Sequence, residues 1–189
     1  SGEGEDAPVG RVVVLEDTDH DGWMDDSHVF LDGLVMPRAV AVLPQGVLVA
    51  EPPNLWLCPD EDGDLACDEK IRLTSYAEGR SNPEHQENGL LSGTDNWIYN
   101  SRSSRRFRLR SDAFEVRPTQ TRGQWGIAQD DDGRLYYNHN SGFLYVDEIP
   151  ADSLSRQPGT ANRTTKVGVN VPLTNGELVH GVRVAPGLN

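Results

Sequence analysis

Long apolar runs and abundant aromatic residues are both missing from this chain of 189 residues. Hydrophobic residues make up 36% of the sequence and aromatic residues 7%, and no apolar stretch is long enough to cross a membrane. No signal peptide is recognisable at the start. Short strand-like patterns nevertheless recur, which excludes global disorder and confines the expected disorder to residues 1–10. The sequence therefore predicts a folded domain without a transmembrane segment.

Basic residues are also in short supply. The chain carries 17 lysines and arginines against 30 aspartates and glutamates, which gives a formal charge of −13. Such a surface repels the phosphate backbone of DNA and RNA, so nucleic acid is excluded as a partner. Much of the acidic excess lies in two short loops, where a bound cation would neutralise part of it.

Cysteine is scarce too, and the two that occur, Cys58 and Cys67, lie close together. A thiol pair can bind zinc, but the sequence has no Cys-x-x-Cys motif and no histidine near these residues. A disulfide across the acidic loop between them is the favoured interpretation. Because disulfides persist in oxidising compartments, this interpretation predicts a periplasmic or extracellular location.

Helical periodicity is almost absent, and short alternating runs separated by turn residues indicate β-hairpins instead. With 19 glycines and 12 prolines, the composition also favours short elements joined by turns. The hairpins repeat along the chain. Residues 89–99 align with residues 126–136 without a gap, residues 39–49 fit the same register more loosely, and residues 181–186 resemble the opening of a further copy.

Repeats of this kind, at irregular intervals, are typical of propeller blades with variable loops. The sequence therefore predicts an all-β protein, a β-propeller of the six-bladed type when intact, with three to four blades in this chain. Residues 1–189 would form a single propeller domain or a fragment of one, because a closed six-bladed ring needs more chain. An ordinary β-sandwich with coincidentally similar hairpins is the alternative.

The first acidic loop, residues 17–25, carries the pattern Asp-x-Asp-x-Asp-Gly-x-x-Asp. Calcium takes about six to eight oxygen ligands, and this spacing folds several carboxylates around one point. The predicted ligands are the carboxylates of Asp17, Asp19, Asp21 and Asp25 and the carbonyl of Trp23. A solvated acidic turn is the alternative, in which four neighbouring carboxylates would repel one another without a cation.

The second acidic loop, residues 60–68, repeats this spacing with Asp60, Asp62, Asp64 and Asp68. It differs at the sixth position, where Leu65 replaces the turn glycine of the first loop. A leucine in the left-handed conformation costs about 1 kcal/mol, and a disulfide at the ends of the loop would help to offset this cost. Neither loop lies between helical patterns, so both are interpreted as strand-to-strand calcium staples and not as EF-hands.

Several stretches between residues 11 and 158 resemble, in the same order, one bacterial family. The matching segments are residues 14–22, 29–34, 46–53, 88–90, 95–99, 105–110 and 124–126. On these segments the chain resembles the membrane-bound dehydrogenase propellers of Planctomycetes-type bacteria, which are related to quinoprotein (PQQ) sugar dehydrogenases. The resemblance implies a β-propeller that uses PQQ to oxidise a sugar or an alcohol. Many members carry a cytochrome c domain with a Cys-x-x-Cys-His motif, which this sequence lacks, so such a domain or another chain would complete the protein.

For the chemistry, the resemblance implies a histidine near the start of a blade as general base, and His85 has the comparable position. The repeat alignment places Arg122 and Gln124 at the equivalent entry to the next hairpin, where they would face the same central funnel. One hypothesis is a calcium-stabilised secreted propeller module that binds a sugar or a partner protein. The other is a PQQ-dependent sugar or alcohol dehydrogenase with these three residues in its catalytic site. The first is favoured, because an incomplete ring cannot enclose a cofactor.

Overall fold

The computed structural model describes residues 4, 6–76, 82–110, 113–139, 142–147 and 168–170. The further repeat expected at residues 181–186 lies outside these residues. In the part described, the chain forms fourteen β-strands and one 3-10 turn, Pro83–His85. The strands are β1 (Gly10–Glu16), β2 (Asp26–Leu34), β3 (Ala39–Leu43), β4 (Gly46–Glu51), β5 (Asn54–Cys58), β6 (Ile71–Ser75), β7 (Asn88–Ser92), β8 (Ile98–Ser101), β9 (Arg105–Leu109), β10 (Phe114–Pro118), β11 (Ile127–Gln129), β12 (Leu135–His139), β13 (Gly142–Asp147) and β14 (Gly168–Asn170).

Antiparallel pairing organises these strands into three four-stranded sheets and one two-stranded sheet. Each four-stranded sheet is a meander in chain order, from β3 to β6, from β7 to β10 and from β11 to β14, whereas β1 pairs with β2 alone. The alternating sequence explains the strands, since successive side chains of a strand point to opposite faces. On β3, for example, Val40 and Val42 are exposed, whereas Ala39, Ala41 and Leu43 are half-buried. The all-β class predicted from the sequence is therefore confirmed for the described residues.

Neighbouring sheets pack face to face through apolar side chains. The cluster between sheet β3–β6 and sheet β7–β10 contains Leu48, Ala50, Leu55, Leu57, Tyr76, Ile98 and Phe107. A second cluster, with Phe30, Leu34, Val49 and Cys58, joins β1–β2 to sheet β3–β6. A third, with Trp97, Tyr99 and Leu135, joins sheet β7–β10 to sheet β11–β14. The sheets therefore follow one another in space in the order of the chain.

The first strands of consecutive four-stranded sheets approach each other closely. Strand β3 contacts β7, and β7 contacts β11. A Cβ atom at Gly89, on β7, would lie 3.2 Å from the Cα of Gly126, just before β11, and Gly89 has a φ of 66°. Only glycine accommodates both the approach and this backbone conformation without strain. The loops that lead into β7 and β11 are thereby brought to the same end of the sheets.

Strand β1 begins at Gly10, the last residue of the segment for which the sequence predicts disorder. Before it, the amide of Ala7 donates to the carbonyl of Gly4 (2.9 Å), and the amide of Val9 donates to the carbonyl of Ala7 (2.8 Å). No helix among the described residues combines the length and the apolar character that a membrane span requires.

Candidate metal loops and strand entrances

The first acidic loop connects β1 to β2, and three of its carboxylates converge. One oxygen from each of Asp17, Asp19 and Asp21 lies within 4.8 Å of the others. Asp17 is half-buried, and the other two are exposed at the tip of the hairpin. Carboxylate oxygens grouped in this way are the donor set that a hard divalent cation such as calcium prefers.

Backbone amides of the loop hold these carboxylates in place. Asp17 accepts hydrogen bonds from the amides of Asp21 (3.2 Å) and Gly22 (2.9 Å). Asp19 accepts from the amide of Asp21 (3.2 Å), and Asp21 accepts from the amide of Trp23 (2.8 Å). Such side-chain to backbone bonds are typical of aspartates in turns. The chain itself therefore orients each of the three carboxylates.

Asp25 closes the loop instead of joining the converging group. Its carboxylate accepts from the hydroxyl (2.8 Å) and the amide (2.9 Å) of Thr18, and these bonds hold the pKa of Asp25 below its usual value. The amide of Asp25 donates to the carbonyl of Glu16 (2.8 Å) at the base of the hairpin. The side chain of Trp23 is 77% exposed. The roles of Asp25 and of the Trp23 carbonyl as ligands stay predictions.

The second acidic loop connects β5 to β6 and has the same construction. One oxygen from each of Asp60, Asp62 and Asp64 again lies within 4.8 Å of the others. The three carboxylates accept hydrogen bonds of 2.9 to 3.2 Å from the backbone amides of Gly63, Asp64, Leu65 and Ala66. Each aspartate thus accepts hydrogen bonds as its counterpart in the first loop does, from amides at the same loop position or at an adjacent one.

Asp68 closes the second loop as Asp25 closes the first. Its carboxylate accepts from the amide of Glu61 (2.6 Å), and its own amide donates to the carbonyl of Pro59 (3.0 Å). Counterparts in the two loops are separated by a constant 43 residues, as from Asp17 to Asp60. The fourth aspartate of the motif therefore has a closing function in both loops.

The two loops also share their backbone conformation. The fourth and sixth positions have positive φ angles in both, 63° at His20 and 94° at Gly22, and 78° at Gly63 and 65° at Leu65. Glycine occupies the sixth position in one loop and the fourth in the other, yet the backbone is the same. Leu65 adopts the left-handed conformation that the sequence predicts, at a cost of about 1 kcal/mol.

The strands that flank the loops match at the same separation. Hairpin β1–β2 has a register shift between Val12 and Val13, and hairpin β5–β6 has one between Leu55 and Trp56, at the same distance from its loop. A bulge of this kind bends a strand and increases its twist. Hairpin β1–β2 therefore repeats hairpin β5–β6, including the position of the β-bulge.

The thiols of Cys58 and Cys67 lie within hydrogen-bonding distance of each other beside the second loop and are not bonded to each other in this structure. Burial raises the pKa of Cys58 to about 12, and the contact with Cys67 adds to the shift. The equivalent positions of the first loop hold Leu15 and Met24, which cannot form a disulfide. The disulfide, and the oxidising compartment inferred from it, stay predictions.

The three residues predicted to be catalytic lie at the entrances to neighbouring inner strands, in different environments. His85, at the end of the 3-10 turn before β7, is exposed, and its carbonyl accepts a hydrogen bond from Nε of Arg102 (3.4 Å). The amide of Arg102 donates to the carbonyl of Arg122 (2.9 Å), so this residue links the two entrances. Gln124 is buried, and its amide donates to the carbonyl of Asn138 (2.8 Å).

The guanidinium of Arg122 is engaged in a buried ion pair. Its Nε donates to a carboxylate oxygen of Asp147 at 2.6 Å, and each side chain is only 4% exposed. Its Nη1 donates to the hydroxyl of Thr119 (2.9 Å) and to the carbonyl of Gln120 (2.8 Å). These contacts tie the entrance of β11 to the end of β13, and a catalytic role for Arg122 stays a prediction.

The sequence does not single out two buried polar residues that organise the sheets. At the start of β7, Asn88 donates to the carbonyl of Gln124 (2.8 Å) and accepts from the amide of Gly126 (2.8 Å). At the end of β4, Glu51 accepts hydrogen bonds of 2.6 to 2.9 Å from the amide of Val35, the indole of Trp56 and the ammonium of Lys70. Both residues lie in segments quoted for the family resemblance, residues 46–53 and 88–90, but a polar residue at the edge of an apolar run is too common to single them out.

The described residues thus define an all-β protein in which two loops at hairpin ends each carry three carboxylates close enough together to hold a metal ion. The chain belongs to the family described as domain of unknown function DUF7133, whose profile matches residues 1–184. No curated protein matches the sequence significantly, and no solved structure does.

Proposed function

We propose that this chain is a calcium-stabilised module of a secreted β-propeller, with one structural ion in each acidic loop, and that the module binds a sugar or a partner protein. The observation that carries the proposal is the common construction of two loops that share their aspartates and little else. Both bring three carboxylate oxygens within 4.8 Å and both place positive φ angles at the fourth and sixth positions. Three converging carboxylates held by the backbone in both loops support one kind of ligand for both.

Electrostatics favours a bound cation in each loop. Three carboxylates at these separations repel one another unless a positive charge neutralises them. Calcium accepts many oxygens in flexible geometry, whereas magnesium demands a near-octahedral shell and retains its waters. The ligands would be the converging aspartates, Asp17, Asp19 and Asp21 in one loop and Asp60, Asp62 and Asp64 in the other.

The stacking of the sheets supports the propeller. Three four-stranded meanders follow one another with their first strands adjacent, which is the arrangement of consecutive blades. Both acidic loops follow the third strand of such a sheet or its equivalent. They therefore lie at the end of the sheets opposite to the entrances that contain His85 and Arg122. This separation favours a stapling role for calcium over a direct role in ligand binding.

The ligand-binding end of the module would be the end with the strand entrances. His85 is exposed there, the indole of Trp125 is 42% exposed, and Arg102 lies between the two entrances. Aromatic and cationic side chains of this kind stack on sugar rings and are frequent in protein interfaces. The same end therefore suits a sugar or a protein partner.

Calcium titration by calorimetry, after removal of metal with a chelator, tests the structural sites. We expect two ions to bind per chain, one to bind to either Asp19→Asn or Asp62→Asn, and none to the double variant. At calcium concentrations about 100 times the dissociation constant, each ion should add about 2.7 kcal/mol to the free energy of unfolding.

Asp131→Asn is the matched control, because Asp131 is an exposed aspartate in the turn between β11 and β12 and belongs to neither loop. This variant should keep both ions. Absence of calcium binding by the unsubstituted chain, or two ions bound by the double variant, would refute the proposal.

One observation favours a second candidate function, a PQQ-dependent sugar or alcohol dehydrogenase. The exposed His85 stands at the entrance to an inner strand, where an imidazole could accept a proton from a substrate hydroxyl. The absorbance spectrum of the protein after reconstitution with PQQ and calcium tests this function. A quinone band, with turnover that falls about 10²-fold or more in His85→Ala, supports the enzyme. A protein spectrum that stays bare after reconstitution decides against the enzyme.

A further inference from the structure

The outer half of sheet β7–β10 carries a row of arginines on one face. Arg106 and Arg108 are alternate residues of β9, and Arg110 continues the alternation just after the strand. On β10, Arg117 lies directly opposite Arg106, and Glu115 lies directly opposite Arg108. Because alternate residues of a strand and directly opposite residues share a face, the four arginines and the glutamate lie side by side. We call this surface the arginine face.

The arginine face is the outer part of a sheet face whose inner part is covered. Phe107 points the other way and is fully buried against sheet β3–β6. On the side of the arginines, Trp97 packs against sheet β11–β14. Exposure then rises toward the outer edge of the sheet, since the side chain of Arg108 is 24% exposed and that of Arg110 is 54% exposed. Arg117 is also exposed.

Aromatic side chains fix two of the guanidinium groups. The Cζ atom of Arg106 lies 4.3 Å from the centroid of the Trp97 ring, and the Cζ atom of Arg108 lies 4.2 Å from it. Arg106 also donates to the hydroxyl of Tyr99 (3.3 Å). A stacked guanidinium is a planar fork of donors that matches the oxygens of an oxyanion. Because these two groups are already ordered, a ligand that binds them loses less entropy.

Positive charge exceeds negative charge on the arginine face. Glu115 pairs with Arg108 and with Arg110, each at 3.0 Å. Asp95, at the edge of the face, lies 3.9 Å from the first arginine of the row. Arg117 has no hydrogen bond or ion pair with a described residue. The four arginines therefore meet two carboxylates, in a chain whose formal charge is −13.

The stability of the sheet does not explain this arrangement. Arg106 and Arg117 are like charges directly opposite each other on neighbouring strands, and such pairs destabilise a sheet. An anion bound between them would convert the repulsion into attraction. The arginine face therefore has the charge and the ordered donors of a binding surface for anions.

We propose that the arginine face binds an acidic polysaccharide, a sugar chain that carries sulfate or carboxylate groups at regular intervals. Alternate residues of a strand are about 6 to 7 Å apart, so a chain with repeated anions along β9 engages several arginines at once. The arginine face includes neither the acidic loops nor the strand entrances. This inference goes beyond the proposed function and does not depend on calcium or on His85.

A polysaccharide fits the arginine face better than a protein does. The centre of a protein interface is usually poor in charged residues and rich in apolar and aromatic ones. The exposed side chains of the arginine face are charged, and the exposed apolar residue of β10, Val116, lies on the opposite face with Phe107.

Nucleic acid fits less well for two reasons. Duplex DNA carries about one negative charge per 1.7 Å of its axis, so the overall charge of −13 repels it more strongly than a sugar chain with widely spaced anions. Single strands stack their bases on exposed aromatic rings. Trp97 is only 8% exposed, beneath two guanidinium groups.

Binding of the full chain to immobilised dextran sulfate and carboxymethyl dextran, in calcium and at low salt, tests the proposal. Both polymers share one backbone, so the comparison shows whether sulfate or carboxylate is the preferred anion. Uncharged dextran is the control ligand. We expect binding to at least one of the two acidic polymers, none to uncharged dextran, and weaker binding as salt screens the exposed charges.

Arg110→Gln and Arg117→Gln should each weaken this binding roughly tenfold, because each removes charge-assisted hydrogen bonds to the anions. Both side chains are exposed, so the variants should unfold at the same temperature as the unsubstituted chain. Arg72→Gln is the matched control, since Arg72 is an exposed arginine on β6, the fourth strand of another sheet. This variant should bind as the unsubstituted chain does.

Four results would overturn the proposal. They are absence of binding to both acidic polymers, an equal loss in Arg72→Gln, tighter binding of polyglutamate, and tighter binding of a single-stranded oligonucleotide. The equal loss would indicate general attraction of charge, and the last two would assign the arginine face to an acidic polypeptide or to nucleic acid.

Two further measurements separate this inference from the proposed function. Binding that falls in His85→Ala but not in Arg117→Gln would place the sugar at the strand entrances and refute the arginine face alone. Calcium titration of the same sample reports on the acidic loops. Two bound ions without binding of either acidic polymer would refute only the arginine face, and binding of a polymer without bound ions would refute only the calcium sites.

Discussion

Gly22 and Leu65 hold the same position in the two acidic loops, with φ angles of 94° and 65°. Glycine adopts this conformation readily, whereas another residue is strained by about 1 kcal/mol. Packing does not decide the matter at Gly22, since a Cβ atom there would meet no atom within 4 Å. At Gly22, backbone conformation alone therefore sets the cost of adding a side chain, whereas the side chain of Leu65 is also half-buried.

Gly22→Ala should accordingly lower the free energy of unfolding by about 1 kcal/mol, measured by urea denaturation in calcium. Leu65→Gly is the reverse substitution, and it should raise the free energy of unfolding by less than about 1 kcal/mol, because glycine loses more backbone entropy on folding. A neutral Gly22→Ala would mean that the left-handed turn of the first loop does not persist in solution.

The aspartates of each motif also divide into two roles that their spacing does not reveal. Asp17, Asp19 and Asp21 turn their carboxylates toward one point, whereas Asp25 turns to Thr18. The backbone amide at the second position of the loop is the donor common to both loops, and in the first loop the hydroxyl of Thr18 donates to the same carboxylate oxygen. In the second loop Glu61 offers its amide alone, and Asp68 still accepts it.

Among the hairpins, the outer one of sheet β7–β10 needs no acidic loop. The amide of Arg110 donates to the carbonyl of Ala113 (2.8 Å) across a short turn. Glu115 on β10 pairs with Arg108 on β9 and with Arg110, each at 3.0 Å, and the bond from Arg108 holds the pKa of Glu115 below its usual value. Protein ion pairs thus connect this hairpin at the place where calcium would connect β1–β2 and β5–β6.

The pair of Arg122 and Asp147 acts on the scale of one sheet, since it ties the entrance of β11 to the end of β13. Removal of one partner leaves a buried charge without compensation, which typically costs about 3 to 5 kcal/mol. Arg122→Met and Asp147→Asn should each lower the free energy of unfolding by this order, measured by urea denaturation.

Asp132→Asn provides the control for this prediction. Asp132 also pairs with an arginine, Arg134, at 3.0 Å, but its side chain is 78% exposed. Surface pairs contribute little because water screens them, so the control should leave the stability almost unchanged. Equal effects of the buried and the exposed substitution would show that water reaches the Arg122 pair in solution.

On the scale of the whole molecule, the acidic loops and the strand entrances lie at different ends of the sheets. The formal charge is −13, and the six converging aspartates lie at one end of the sheets, where two dications would neutralise part of the excess. The strand entrances with His85, Arg102 and Trp125 lie at the other end. Calcium would therefore stabilise one end of the stack of sheets, and a ligand would bind at the opposite end.

The sequence by itself determined the strands, the turns and the two acidic loops of this protein. Each depends on residues that are close along the chain: alternating apolar side chains on β3 and β4, the turn at Gly46, and aspartates at alternate positions. Even the left-handed Leu65 follows from its place in the motif. Local patterns suffice for these features because local sterics and hydrogen bonds produce them.

Only the tertiary structure decided how these parts combine. The sequence predicts that Arg122 faces a central funnel. In the structure its guanidinium is buried against Asp147, which lies 25 positions further along the chain. The correspondence of β1–β2 with β5–β6 rests on a shared β-bulge that no residue pattern predicts. Val40 and Val42 have the alternation of an ordinary buried face, and their exposure is set by which strands lie opposite them. The burial of a side chain and the pairing of strands depend on contacts between segments that are distant in the sequence. Local residue patterns therefore do not predict them.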